Sequence, residues 1–242
     1  MTNKHVFGPI RSRRLGRSLG INLFSDKICS LDCVYCEAGK TEILTLERKQ
    51  YSPTDVILEE LSNILNKKPA IDFITFSGIG EPTLHSEIGD IISFIKTNWS
   101  EYKLCLITNS TTLIDESIHN DLLSCDLIMP SLDAVSDDVF QRIDKPFQTL
   151  KISDIIDGLV SFREKFNNSM WLEIFFLEGL NDTVQEIDLL KTACERIKPD
   201  KIQINSLDRA GVEGWVKKMS LSRLQEIKEY FKPMSVEIVG DY

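Results

Sequence analysis

Short apolar runs alternate along this chain with stretches in which apolar residues recur every three or four positions. The runs occupy 19–24, 71–76, 104–108, 127–132, 171–177, 201–205 and 236–239. Runs of this length read as strands, and near-continuous apolar character as strands buried on both faces. The helical stripes between them include Ile57, Leu61, Ile64 and Leu65, then Ile88, Ile91, Ile92 and Ile95. Further stripes carry Ile155, Ile156, Leu159 and Phe162; Ile187, Leu190, Cys194 and Ile197; and Leu221, Leu224, Ile227 and Phe231. Shorter helical pieces are expected at 114–123 and 137–143. Ser52-Pro53-Thr54-Asp55 opens the first helix and Lys67-Lys68-Pro69 closes it. Ser86 is the expected cap of the second, Thr183-Val184-Gln185-Glu186 forms a capping box, and Ser220 caps the last. Such alternation predicts an α/β fold: a parallel sheet with helices on its outer face, six strands preceding the terminal one.

Composition adds little to that fold. The chain has 242 residues, 42% apolar and 27% charged, as expected of one large domain spanning 1–242. It shows no linker, repeat or low-complexity tract. Met1-Thr2-Asn3-Lys4-His5 begins no apolar leader, and no run of ~20 apolar residues is present to span a membrane. Six cysteines, half of them clustered, fit metal binding in a reducing cytoplasm better than a disulfide framework. A net charge of −9 argues against a broad phosphate-binding surface.

One segment runs against the acidic balance. Residues 8–20 hold four arginines, Arg11, Arg13, Arg14 and Arg17, among three glycines and a proline. The composition reads as a loop, and 1–18 as an Arg-rich N-terminal segment. Guanidinium groups grip carboxylate or phosphate in bidentate fashion. Arg13 and Arg14 are therefore candidate ligands for an anionic substrate; a solvated or salt-bridged loop is the plainer alternative.

The densest chemistry lies in Cys29-Ser30-Leu31-Asp32-Cys33-Val34-Tyr35-Cys36. Three thiolates this close can hold an iron–sulfur cluster or part of a zinc site. A four-iron cluster ligated by three cysteines keeps one iron open for a small molecule. Cys105, Cys125 and Cys194 are scattered; the last two fall among helical apolar residues and read as core. Cys105 shares strand parity with Asn109 and is placed to point inward.

The C-x3-C-x2-C spacing, with Tyr35 before the last cysteine, resembles the signature of the radical S-adenosylmethionine (radical SAM) superfamily. The stretch from Gly8 through Gly20 is similar to the wyosine-synthase-like branch of Fe–S oxidoreductases. This resemblance implies a 4Fe–4S cluster on Cys29, Cys33 and Cys36. It implies reductive cleavage of SAM to methionine and a 5′-deoxyadenosyl radical, which takes hydrogen from a substrate. For the fold it implies a partial (β/α)6 TIM-like barrel, with the site at the strands' C-terminal ends.

Several polar motifs fall at those ends. Ser77-Gly78-Ile79-Gly80-Glu81-Pro82 follows the second strand and resembles the G-G-E-P motif that binds the SAM amino group. Ile79 interrupts the glycine pair, so its first member is Gly78 or Gly80. Asn109 after the third strand and Ser131 and Asp133 after the fourth are familiar in form in the superfamily. They imply ribose or methionine contacts, and helix capping is their alternative. Tyr35 and Pro82 join the implied SAM contacts. Arg142, Lys145, Glu173 and Asn205 are further candidates for substrate; Gln203 and Asn205 share a strand face.

The substrate expected is a small anion, because the whole chain is acidic, with an electron donor of the reductase or flavodoxin type. tRNA-base modification of the wyosine type is the alternative, but no cysteine precedes Cys29 to hold a second cluster. A glycyl-radical activase is another. From a different class, a zinc-binding interaction module needs only a distant fourth ligand.

Overall fold

The structure is a computed structural model and describes residues 5–208 and 211–240. Residues 1–4 of the Arg-rich segment, 209–210, and the last two residues of the expected domain 1–242 lie outside the described residues. The strands are β1 (Val6–Ser12), β2 (Gly16–Ile21), β3 (Ile28–Cys29), β4 (Ile43–Leu44), β5 (Phe73–Phe76), β6 (Lys103–Thr108), β7 (Leu127–Pro130), β8 (Ser169–Phe175), β9 (Lys201–Asn205) and β10 (Val236–Ile238). The helices are α1 (Thr54–Leu65), α2 (Ile88–Asn98), α3 (His119–Leu122), α4 (Asp137–Ile143), α5 (Ile152–Lys165), α6 (Val184–Ile197) and α7 (Leu221–Tyr230).

Eight strands form one sheet in the order β1-β2-β5-β6-β7-β8-β9-β10. The strands from β2 onward run parallel, and only β1 is antiparallel. Six parallel strands thus precede the terminal β10, as the apolar runs predict. The sheet is curved and unclosed: a partial barrel with helices outside.

Strand parity separates two cores. Leu104 and Leu106 of β6 and Ile202 and Ile204 of β9 join the buried stripes of the helices. Cys105 points the other way and packs with Leu15, Leu127 and Met129 in a small separate cluster inside the barrel. Burying each large aliphatic side chain contributes about 1.5–3 kcal/mol, so the outer layer supplies most of the cohesion.

Four expectations change. Residues 8–20 are not a loop: β1 and β2 form a hairpin with Ile10 opposite Ser18 and Arg11 opposite Arg17. Most of β1 is exposed, which removes the alternation that marks a half-buried strand. Glu87, not Ser86, precedes α2, with no side-chain cap. Thr183 does cap α6 by accepting from Glu186 N at 3.2 Å. The Glu186 carboxylate, however, accepts from Val135 N and Ser136 N at 2.6 and 3.0 Å. It pins the loop after β7 instead of closing the box. Finally, 114–123 breaks into 3₁₀ turns before the four residues of α3.

Candidate functional site

The cysteine loop is fixed through its backbone. Asp32 N donates to Asp144 O and Val34 N to Ile143 O, both at 2.9 Å, tying the loop to the end of α4. On its other side Glu213 N donates to Val34 O at 3.1 Å. Gly211 packs so closely that an added Cβ would lie 2.7 Å from Tyr35 Cα. Cys29, Cys33 and Cys36 line a cleft of about 300 Å³ at the C-terminal ends of β5, β6 and β7. That volume is at the low end of the range for ligand pockets.

Burial, with Glu81 next in effect, pushes the Cys29 thiol up to about 12. Burial and then Asp144 raise Cys33, whose Sγ donates to Asp144 Oδ1 at 3.4 Å. Loading a metal group here therefore releases protons. Among the described residues, no three His, Cys, Asp or Glu side chains converge closely enough to hold one metal ion.

Opposite the cysteines lies the glycine–glutamate turn. Gly78 and Gly80 have φ of +116° and +81°, conformations side chains rarely adopt, and both line the cleft. A Cβ on Gly80 would meet Ile28 O at 2.1 Å. The next residue's N–H, of Glu81, donates to that same carbonyl at 3.0 Å, joining the turn to the residue before Cys29. Glu81 is 2% exposed. Its carboxylate accepts from Thr83 Oγ1 (2.6 Å), Thr83 N (3.1 Å), Thr108 Oγ1 (2.7 Å) and Asn109 N (2.6 Å). All four donors are neutral. Burial raises the carboxyl against these bonds, and no Lys or Arg pairs with it among the described residues. The cleft thus presents a buried carboxylate lacking a cation, beside three thiols. This donor set fits a SAM ammonium group and a thiolate-bound cluster.

Asn109 bridges the two halves. Its Nδ2 donates to Ser30 Oγ at 3.0 Å and to Cys29 Sγ at 3.4 Å. Ser131 lines the cleft beside it, as does Pro82. Ser110, at φ +72°, donates its hydroxyl to Ser131 O at 2.7 Å.

Tyr35 lines the same cleft, stacked on Phe175 with centroids 4.1 Å apart. Its hydroxyl donates to Asp133, whose other oxygen accepts from Phe175 N at 2.7 Å. Asp133 is thereby engaged behind Tyr35, where burial pushes it up to about 6. Burial and Asp133 raise Asp144 well above the carboxylate range. Asp144, Phe175 and Lys27, which also lines the cleft, carry no local sequence signal; they reach the site only through the fold.

The substrate candidates do not gather in the cleft. Arg14 pairs with Glu173, and Arg13 with Asp208, which Lys218 also approaches at 3.5 Å. Asn205 is buried and its side-chain oxygen accepts from Ser206 N at 2.9 Å. Arg142 is exposed in the last turn of α4. Lys145 pairs with Glu213 at 2.6 Å. Cys125 and Cys194 are in the outer core, as expected.

A family model described as the radical SAM superfamily matches residues 26–190. The chain belongs to the radical SAM superfamily. It is an enzyme of that superfamily, whose cofactors, SAM and a 4Fe–4S cluster, are therefore its own. A UPF0026 protein of Methanocaldococcus jannaschii is 33% identical over 97% of this chain and 72% of its own length. A Brachyspira hyodysenteriae protein named GTPase Obg is 37% identical over 98% of this chain, which spans only 35% of that protein. Val34 stands where a G-x4-G-K-[S/T] phosphate loop ending in Gly39-Lys40-Thr41 would need glycine, so that name is not carried over. Among solved structures, a radical SAM methyltransferase from Sphaerobacter thermophilus has a TM-score of 0.70 at 13% identity, covering 91% of this chain and 65% of that one. A TYW1 with a lysine–pyruvate adduct has 0.65 at 16%, covering 90% and 74%. These structures share the partial-barrel fold. No helix among the described residues is long and apolar enough to cross a membrane.

Proposed function

We propose that this chain abstracts hydrogen from a small substrate, with Cys29, Cys33 and Cys36 holding the cluster and the turn around Glu81 holding SAM. One observation carries the reading. Motifs far apart in sequence share one cleft, and in it a buried carboxylate faces space with no cation of its own. When bound, the cluster supplies the electron that cleaves SAM reductively. Glu81 accepts from the SAM ammonium, which also lowers the carboxyl toward its ionised form. Gly78 and Gly80 let backbone approach the ligand. Asn109 and Ser131 fix the wall between ligand and thiols, and Tyr35, wedged by Phe175 and Asp133, closes the far side. Asn205 is the substrate candidate whose position is inside the barrel. Arg13, Arg14 and Glu173 reach a substrate only by breaking their ion pairs, and Arg142 only from outside. The electron comes from a flavodoxin-type reductase, and the setting is the cytoplasm.

A second reading, RNA-base modification, is favoured by one feature. Arg11 lies directly opposite Arg17 on the hairpin, and both are exposed. Like charges in that position repel, and a phosphate chain would relieve them. Steep loss of tRNA binding with salt would support it; a flat response supports the small substrate.

The test is anaerobic reconstitution. The expected product is brown protein with about four irons per chain that yields 5′-deoxyadenosine from SAM and dithionite. Colourless protein carrying one zinc, or full iron in the triple cysteine variant, sinks the reading.

A further inference from the structure

The turn between β1 and β2 starts at the strands' N-terminal ends. Arg17 N donates to Asp72 Oδ2 at 2.7 Å, which places the turn beside the N-terminal start of β5. From there it reaches across the open side of the sheet. Leu15, 4% exposed, enters the barrel and packs on Cys105, Leu127 and Met129. Arg14 crosses to Glu173 on β8, four strands away from β2 in the sheet order. Arg13 reaches Asp208, just past β9. The outer face of the same turn lines a shallow groove with Glu237, Ile238 and Val239 of the β10 edge.

Two arginines from one turn are therefore matched, one to one, by carboxylates from the far half of the sheet. The Arg14–Glu173 pair, the more buried of the two, orients what it joins, because leaving either of its charges alone in the interior is costly. In the strand order no ladder joins β1 or β2 to β9 or β10.

We propose that this turn is a plug: Arg14 and Arg13 clamp it to Glu173 and Asp208, shutting the open flank of the partial barrel. The substrate then enters at the strands' C-terminal mouth. A small molecule, or one group displayed on a larger one, passes that mouth. An extended chain laid through the flank does not. The two arginines act as positioning residues, and they set the closure of the flank.

Cys105 is a built-in reporter, fully buried behind Leu15 and beside Arg14. The cluster-loaded protein is treated anaerobically with iodoacetamide, and labelling is mapped by mass spectrometry. Cys125 and Cys194, buried outside the barrel, report global opening. Arg14→Glu sets two carboxylates face to face. It should speed Cys105 labelling about tenfold or more while Cys125 and Cys194 stay protected, as expected of local opening. Adding Glu173→Arg should restore protection. If Arg14→Glu unfolds the protein, all three label, and the more exposed pair takes over the test. There, Arg13→Glu should open Cys105 selectively and Asp208→Arg should close it again. Cys105 as protected as Cys125 in the folded single variants, or no rescue by either swap, overturns the plug. The readout needs no turnover, so failure of the SAM reading would leave it intact.

Discussion

The open flank and the cleft of this barrel treat charge in opposite ways. At the flank, Arg14 has Glu173 and Arg13 has Asp208; each charge is answered within the chain. In the cleft, Glu81 is more deeply buried than either flank carboxylate, yet only neutral donors answer it. Burying an ion without a counter-ion costs several kcal/mol, and neutral hydrogen bonds offset only part of that. A fold keeps such a group where a ligand completes it. Charge balance therefore separates the flank that holds the molecule shut from the cleft that receives.

The most severe way to break the mouth is to remove a thiol. Cys29→Ala, Cys33→Ala or Cys36→Ala should each abolish both cluster and SAM cleavage, read by iron content and 5′-deoxyadenosine. Next is Gly80→Ala. The left-handed backbone alone costs roughly 1–3 kcal/mol, and the new methyl strikes the carbonyl before Cys29. The apo protein should melt lower and the reconstituted protein hold less iron.

Matched substitutions then sharpen the contrast. Glu81→Gln should weaken SAM binding by about 1–3 kcal/mol, measured by titration, and should also cost some apo stability, because its amide nitrogen faces a donor where the carboxylate accepted. Glu173→Gln should act on stability alone: about 2–3 kcal/mol lost, measured by denaturant unfolding, with SAM affinity unchanged. If Glu81→Gln costs only stability, the turn serves the fold and the contrast fails.

The smallest effect is a pH dependence just beneath the turn. His85 is fully buried; it accepts from Glu87 N at Nδ1 and so donates from Nε2 to Ser52 O. Burial lowers its pKa below the ordinary 6.5. The folded state therefore favours the neutral ring. This contribution is full above pH about 6.5 and is lost as pH falls through the depressed folded value. Apo wild type should lose stability as pH falls below about 6.5 faster than His85→Gln does. Parallel curves would remove His85 from the account.

Much of this was readable in the chain. The six parallel strands follow from apolar runs, because strands covered on both faces leave an unbroken signal. The cysteines and Glu81 follow from spacing, because their chemistry is local. The fate of the arginines was not legible: Glu173 and Asp208 are distant in sequence, and only the curvature of the sheet brings them across. Asp133 shows the same limit. Its place after β7 suits a ligand contact, but its carboxylate is turned to Tyr35 and Phe175 N by the packing of β8. The hairpin itself was hidden because a strand exposed on both faces looks like a loop.

A closed flank also governs traffic. With Leu15 and the paired arginines across the gap, the mouth serves as both door in and door out. On the proposed SAM placement, whatever lies deeper than SAM has to arrive first and depart last. Steady-state kinetics should then follow a compulsory order, and a product that lingers inside should hold up the next turnover without ever touching the iron.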